Sequence, residues 1–182
     1  AGARLLYTGA GETTDRTLDV KAGGTLEHAG SGTLVFTAPT TSTTSGTKTL
    51  TLRNFAAADG ELQGAVANGS GTVSLATEGD GTWRLTAANT FSGTLAVNGG
   101  TAILSEAAGA AALAAACTVS NGATLLLDNT AAANNADRLN DAGPVTLLGG
   151  TLRFAHDAGA ADFTETAGAL TAASGACTVQ TD

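Results

Sequence analysis

Val145-Thr146-Leu147, then Leu148-Gly149-Gly150, then Thr151-Leu152-Arg153-Phe154: two short alternating stretches joined by a Gly-rich break. Period-two alternation of apolar residues marks a strand, and glycine between two such runs marks a bend. The same phrase recurs as Leu95-Ala96-Val97, Asn98-Gly99-Gly100, Thr101-Ala102-Ile103-Leu104, and as Leu18-Asp19-Val20, Lys21-Ala22-Gly23-Gly24, Thr25-Leu26. Copies lie about 22 to 32 residues apart. A supersecondary unit repeated at that period stacks on its neighbours as a solenoid. The reading is an all-β chain, a parallel β-helix of about seven coils without end caps of its own, forming one module over residues 1–182.

Working outward, the first strands of the coils present inward pairs Leu18/Val20, Leu50/Leu52, Val73/Leu75, Leu95/Val97, Cys117/Val119, Val145/Leu147 and Cys177/Val179. The second strands present Leu5/Tyr7, Leu26/His28, Trp83/Leu85, Ala102/Leu104, Leu125/Leu127 and Leu152/Phe154, with Leu62 standing for the degenerate copy. Thr33–Phe36 and Ala167–Leu170 read as an irregular third strand. Thr25, Thr82, Thr101, Thr124 and Thr151 line up as one column at the bend. At about 4.8 Å per coil the seven-coil stack stands roughly 34 Å tall. Ser105 to Ala116, rich in Ala, and Asn134 to Asp141 are candidate helical turns on corners. Residues 38–48 are expected to bulge as a polar loop.

Composition narrows the function. Of 182 residues 43% are hydrophobic but only 4% aromatic, so the core is built from Ala, Val and Leu and is narrow. A net charge of −8 argues against nucleic acid and anionic lipid as partners. No apolar run reaches the roughly 18 residues of a membrane helix. Starting at Ala1, the sequence reads as a processed chain or an excised segment.

The sequence closes on itself. Cys177-Thr178-Val179 reads as a first strand lacking its second, and Ala1 to Tyr7 as a second strand lacking its first. Joined, Asp182 runs into Ala1 in phase with the coil that begins at Thr118. An uncovered solenoid end exposes unpaired strand edges. The expected partner is therefore a further copy of the chain, head to tail, either covalently in tandem or as a stacked subunit. The residues assigned to the assembly ends are Leu5, Tyr7, Cys177 and Val179.

Gly81-Thr82-Trp83-Arg84-Leu85 followed by Ala88-Asn89-Thr90-Phe91-Ser92-Gly93-Thr94 and Val97-Asn98-Gly99-Gly100-Thr101 resembles the autotransporter-associated β-strand repeat of large bacterial surface proteins. Asp137-Arg138-Leu139 and Thr146 to Phe154 are similar to the longer repeats of such proteins. The resemblance implies a right-handed parallel β-helix, an extracellular or cell-surface location and a structural role as filament or stalk. It implies no catalytic residue. The alternative it allows is an adhesin module that recognises glycans or proteins through protruding loops such as 38–48.

Other chemistries are weakly founded. Placed in one column two coils apart, Cys117 and Cys177 would be about 9.6 Å from each other, beyond the 4.4–6.8 Å of a disulfide, and read as free thiols. His28 and His156 sit too far apart along the stack to share a metal with them. Asp59-Gly60-Glu61 and Glu78-Gly79-Asp80 are turn chemistry rather than a tandem calcium motif. The expected outward face (Leu6, Glu27, Arg84, Ile103, Leu126, Arg153) has no carboxylate pair in register and no aromatic sugar platform; its charges are expected to be solvated. No enzyme, metal or cofactor site is expected.

Overall fold

A computed structural model describes residues 2–120, 122–130, 134–157 and 164–182. In chain order the strands are β1 (Ala3–Tyr7), β2 (Glu12–Thr14), β3 (Leu18–Asp19), β4 (Gly24–His28), β5 (Leu34–Phe36), β6 (Thr40–Thr41), β7 (Lys48–Asn54), β8 (Gly60–Leu62) and β9 (Val73–Gly79). They continue as β10 (Thr82–Leu85), β11 (Thr94–Val97), β12 (Thr101–Leu104), β13 (Ala116–Ser120), β14 (Thr124–Asn129), β15 (Val145–Leu148), β16 (Thr151–His156), β17 (Leu170–Ser174) and β18 (Thr178–Thr181). All ladders between them are parallel. One eight-stranded sheet runs β1-β4-β7-β9-β11-β13-β15-β17, and a second runs β2-β5-β8-β10-β12-β14-β16-β18. The chain alternates between the two and returns along a third, discontinuous side. That side holds the β3–β6 pair and the bridges Thr40 to Val66, Ala67 to Thr90 and Ala88 to Ala110. This is a β-solenoid of about seven turns.

Register makes the core. In the first sheet Leu50, Leu75, Leu95, Cys117, Val145 and Leu170 fall in one column. In the second, Trp83, Ala102, Leu125, Leu152 and Val179 do so, as do Leu85, Leu104, Leu127 and Phe154. Most of these side chains are fully buried. Burial of apolar surface at about 25 cal/mol per Å² supplies the main stabilisation. The third side adds Val66, Phe91 and Leu139 to the same cluster. The bends between the sheets need the left-handed backbone that glycine tolerates: Gly100 has φ 61° and Gly149 φ 81°.

Several expectations are corrected. Leu5/Tyr7 and Leu26/His28 belong to the first sheet, because β1 pairs with β4 and β4 with β7. Leu18 lies on the third side, and Leu34–Phe36 is a second-sheet strand beside Leu62 rather than an irregular third one. The repeated phrase thus straddles a different corner in the first coil: third side into first sheet instead of first into second. A three-sided coil offers the same apolar alternation and glycine at more than one corner, so the pattern alone does not say which corner is being read.

The last coil is corrected in the same way. Leu170–Ser174 is its first-sheet strand, and Thr178–Thr181 its second-sheet strand, with Val179 beside Leu152. Cys177 precedes that strand and shares no column with Cys117. The bend column of threonines runs Thr82, Thr101, Thr124, Thr151, Thr178; Thr25 lies beside Thr51 in the other sheet.

Neither 105–116 nor 134–141 is helical among the described residues. Their backbone groups bond to neighbouring coils instead, Ala110 N–H to Ala87 O and Ala111 N–H to Arg138 O. Residues 38–48 divide: Thr40 and Ser42 are buried in the third side, whereas Thr43, Ser45, Gly46 and Thr47 are exposed.

Candidate functional site

The two ends of the stack are where the interior opens. At one, β1 leaves a strand edge uncovered, with Leu5 52% and Leu6 46% exposed. A hollow of about 440 Å³ opens there, lined by Leu5, Tyr7, Glu12, Arg16, Leu26 and Phe36 among others. A second, of about 300 Å³, is lined by Leu18, Val20 and Leu50. Tyr7 is half-buried and held in place. Its ring lies 5.6 Å from that of His28, and its Oη accepts the Gly11 N–H at 2.8 Å. At the other end Leu170 and Val179 are each 52% exposed. Cys177 is half-buried there, its Sγ donating to Leu147 O at 3.3 Å and Ser174 O at 3.2 Å. The four residues assigned to the ends therefore divide into two exposed apolar ones, Leu5 and Val179, and two that anchor the end coils.

The outer face of the first sheet carries a ladder of alternating charge. Arg4 donates to Glu27 at 2.7 Å, Arg53 reaches Glu27 at 3.4 Å, and Arg53 Nε donates to Glu78 at 2.9 Å. Glu27 is buried among these partners rather than solvated. On the second sheet Arg84 Nε donates to Asp59 at 2.8 Å. Asp59 and Glu78 thus serve as ion-pair partners. Glu61 accepts from Gln63 at 3.0 Å. Among the described residues no three His, Cys, Asp or Glu side chains gather as metal ligands. Cys117 and Cys177 are free, and burial pushes the Cys117 thiol up to about 12, leaving it unreactive.

Corner residues that the residue pattern did not single out carry much of the polar work. Asn89 Oδ1 accepts from Val66 N–H at 2.8 Å, while its Nδ2 donates to Ala87 O and Ala110 O at 2.9 and 2.8 Å. Arg138 is fully buried. It donates to Asn129 Oδ1 and to the carbonyls of Glu106, Gly109 and Asp128. The Glu165 carboxylate accepts the backbone N–H of Arg138 and of Leu139, and burial raises its pKa. Both side chains lie in motifs that carry the resemblance, Ala88-Asn89-Thr90-Phe91 and Asp137-Arg138-Leu139, but their role as clamps between coils follows only from the coil phase.

Over 150 residues, 80% of its length, the chain is 31% identical to the adhesin BmaC autotransporter of Brucella suis biovar 1 (strain 1330). The matched stretch is 4% of that protein, so the chain spans a small part of the relative it matches. No family model matches the chain, and no solved structure matches it.

Proposed function

We propose that this chain is a structural repeat module of the autotransporter-associated type, part of an extracellular or bacterial cell-surface stalk, continued coil on coil at its ends. One observation carries the reading. Both end coils expose parallel strand edges together with apolar side chains from columns that are buried everywhere else. Such a surface is stabilised by another coil of the same kind. The 31% identity to an autotransporter adhesin supports the surface setting and a non-enzymatic role. Adhesion through the 38–48 segment is the second reading: Thr40 and Ser42 are buried in the wall, which leaves only the short exposed stretch 43–47 for contact.

Leu5→Asp and Val179→Asp test the stacking. Electron microscopy and sedimentation of the unaltered chain should show end-to-end rods, and either variant should remain single with an unchanged circular dichroism spectrum. An unaltered chain that stays monomeric up to millimolar concentration defeats the stacking.

A further inference from the structure

We propose that Asn98-Gly99 is a site of spontaneous covalent modification, where the folded chain converts its own asparagine to aspartate and isoaspartate with water as the co-reactant. The pair lies in the bend between β11 and β12, in the fifth of eight layers, away from either end of the stack.

The fold demands the glycine. A Cβ on Gly99 would lie 2.6 Å from Gly79 O in the neighbouring coil, too close for any larger residue. It makes no such demand at 98, where the side chain is exposed on the outer face, in line with Glu78 and Ser120 of the adjoining coils. Asparagine is thermolabile, and glycine has no Cβ to obstruct its own nitrogen.

In the reaction the Gly99 nitrogen gives up its proton and bonds to Asn98 Cγ. The Cγ–Nδ2 bond breaks, the proton departs with that nitrogen as ammonia, and a cyclic imide remains. Water opens either of the imide's two C–N bonds. One water enters and one ammonia leaves, with no change of oxidation state.

Three Asn-Gly pairs occur in the sequence, at 68–69, 98–99 and 121–122, and Asn121 lies outside the described residues. The other two differ. At 98 the attacking group is uncommitted: the Gly99 N–H makes no hydrogen bond among the described residues. Ser120 Oγ donates to Asn98 Oδ1 at 3.2 Å, so negative charge that develops on this oxygen during attack meets a hydroxyl already in place. At 68 the same groups are engaged. Asn68 Nδ2 donates to Ser92 Oγ at 2.7 Å, and Oδ1 accepts from Val73 N–H and Ser92 N–H at 2.9 and 3.2 Å. Gly69 N–H donates to Gly71 O at 3.2 Å. That amide reacts only through local opening.

The product acts on the middle of the stack. A carboxylate at 98 stands one layer from Glu78 on the same face, as a like-charge pair. The isoaspartyl form also lengthens the backbone of a bend pinned at both ends, by Asn98 N–H to Thr77 O and Thr101 N–H to Gly81 O, each 3.0 Å. Modification therefore loosens β11 and β12, and the chain carries a mark of its age.

Incubation of the unaltered chain in mildly alkaline buffer, followed by fragment-ion mass spectrometry, tests the site. Conversion should be at least tenfold faster at 98 than at 68 in the folded chain, and equal at the two in urea, where both pairs are unfolded. Equal rates in the folded chain, or an Asn98 that persists while the unfolded chain converts, overturn the proposal. Ser120→Ala should slow conversion at 98 about threefold and leave 68 as it was; an unaltered rate at 98 removes the hydroxyl from the mechanism. Hydrogen exchange in the aged chain should rise at residues 95–104, whereas Asn98→Gln aged alike keeps its protection. Equal exchange in the two aged proteins denies the loosening.

Discussion

His28 and Asn54 are partners in one column of the first sheet and do the same job with different chemistry. His28 Nδ1 accepts the N–H of Gly30 at 3.3 Å; Asn54 Oδ1 accepts the N–H of Ala56 at 2.7 Å. Each side chain closes a turn two residues on. Only the imidazole titrates. Burial lowers its pKa from the ordinary 6.5, with the nearby Asp59 opposing weakly. An unfolded chain then binds a proton that the folded one refuses, so stability is full above pH 6.5 and falls as the pH drops below it. His28→Asn should keep the turn and flatten this loss, as urea midpoints between pH 7 and pH 5 will show; an unchanged slope would assign the loss to other groups. Trp83 makes a different demand. Its indole lies across Gly60 in the adjacent strand, where a Cβ would sit 2.6 Å from the ring. Gly60→Ala should cost about 1–3 kcal/mol by overpacking, and a loss below about 0.5 kcal/mol in urea denaturation would mean the ring can move aside.

Among the elements, corners and strands divide the work between polar and apolar groups. Strands were legible because alternation is a local property: the inward pairs from Val73 to Leu152 fall where their spacing predicts. Corners were not. Ala at 107–108 and 110–112 has helix propensity, but each coil must return its backbone bonds to the coil beside it, and that tertiary requirement prevails. Nor could charge pairing be read, since Arg53 and Glu78 are neighbours only in register. The corner clamps should be expensive to remove. Asn89→Ala leaves the buried Val66 N–H without its acceptor, while Ala87 O and Ala110 O keep the backbone N–H groups of Ala110 and residue 89, and should cost about 1–3 kcal/mol in urea denaturation. Arg138→Lys replaces a planar fork that serves several buried acceptors with a single ammonium. A loss of about 3 kcal/mol is expected in urea denaturation, with faster hydrogen exchange at residues 109–111. Near-wild-type stability in the lysine variant would show that one bond suffices.

At the scale of the whole molecule, stability is a sum over layers in contact with their neighbours. The end strands β1, β17 and β18 are exposed along nearly their whole length, whereas β9 to β14 are covered on both sides. Native-state hydrogen exchange should therefore grade from fast at both ends to slowest near β11 and β12, and dissolve into uniform protection only if the ends are covered. Uniform exchange in the isolated chain would contradict a layered energy. The eight strands of each sheet are separated by seven intervals, so at about 4.8 Å each the end strands lie roughly 34 Å apart, as expected from seven coils.

The parallel ladders also set how the rod meets a pull. Successive strands hydrogen-bond along the axis, and the chain enters at one end of the stack and leaves at the other. Tension applied through the termini loads those bonds one layer at a time, so the rod unzips instead of shearing. Each released turn of about 22 residues feeds out roughly 75 Å of slack. A tether made this way yields in many small steps and re-coils when the load drops, a shock absorber whose travel grows with the number of turns.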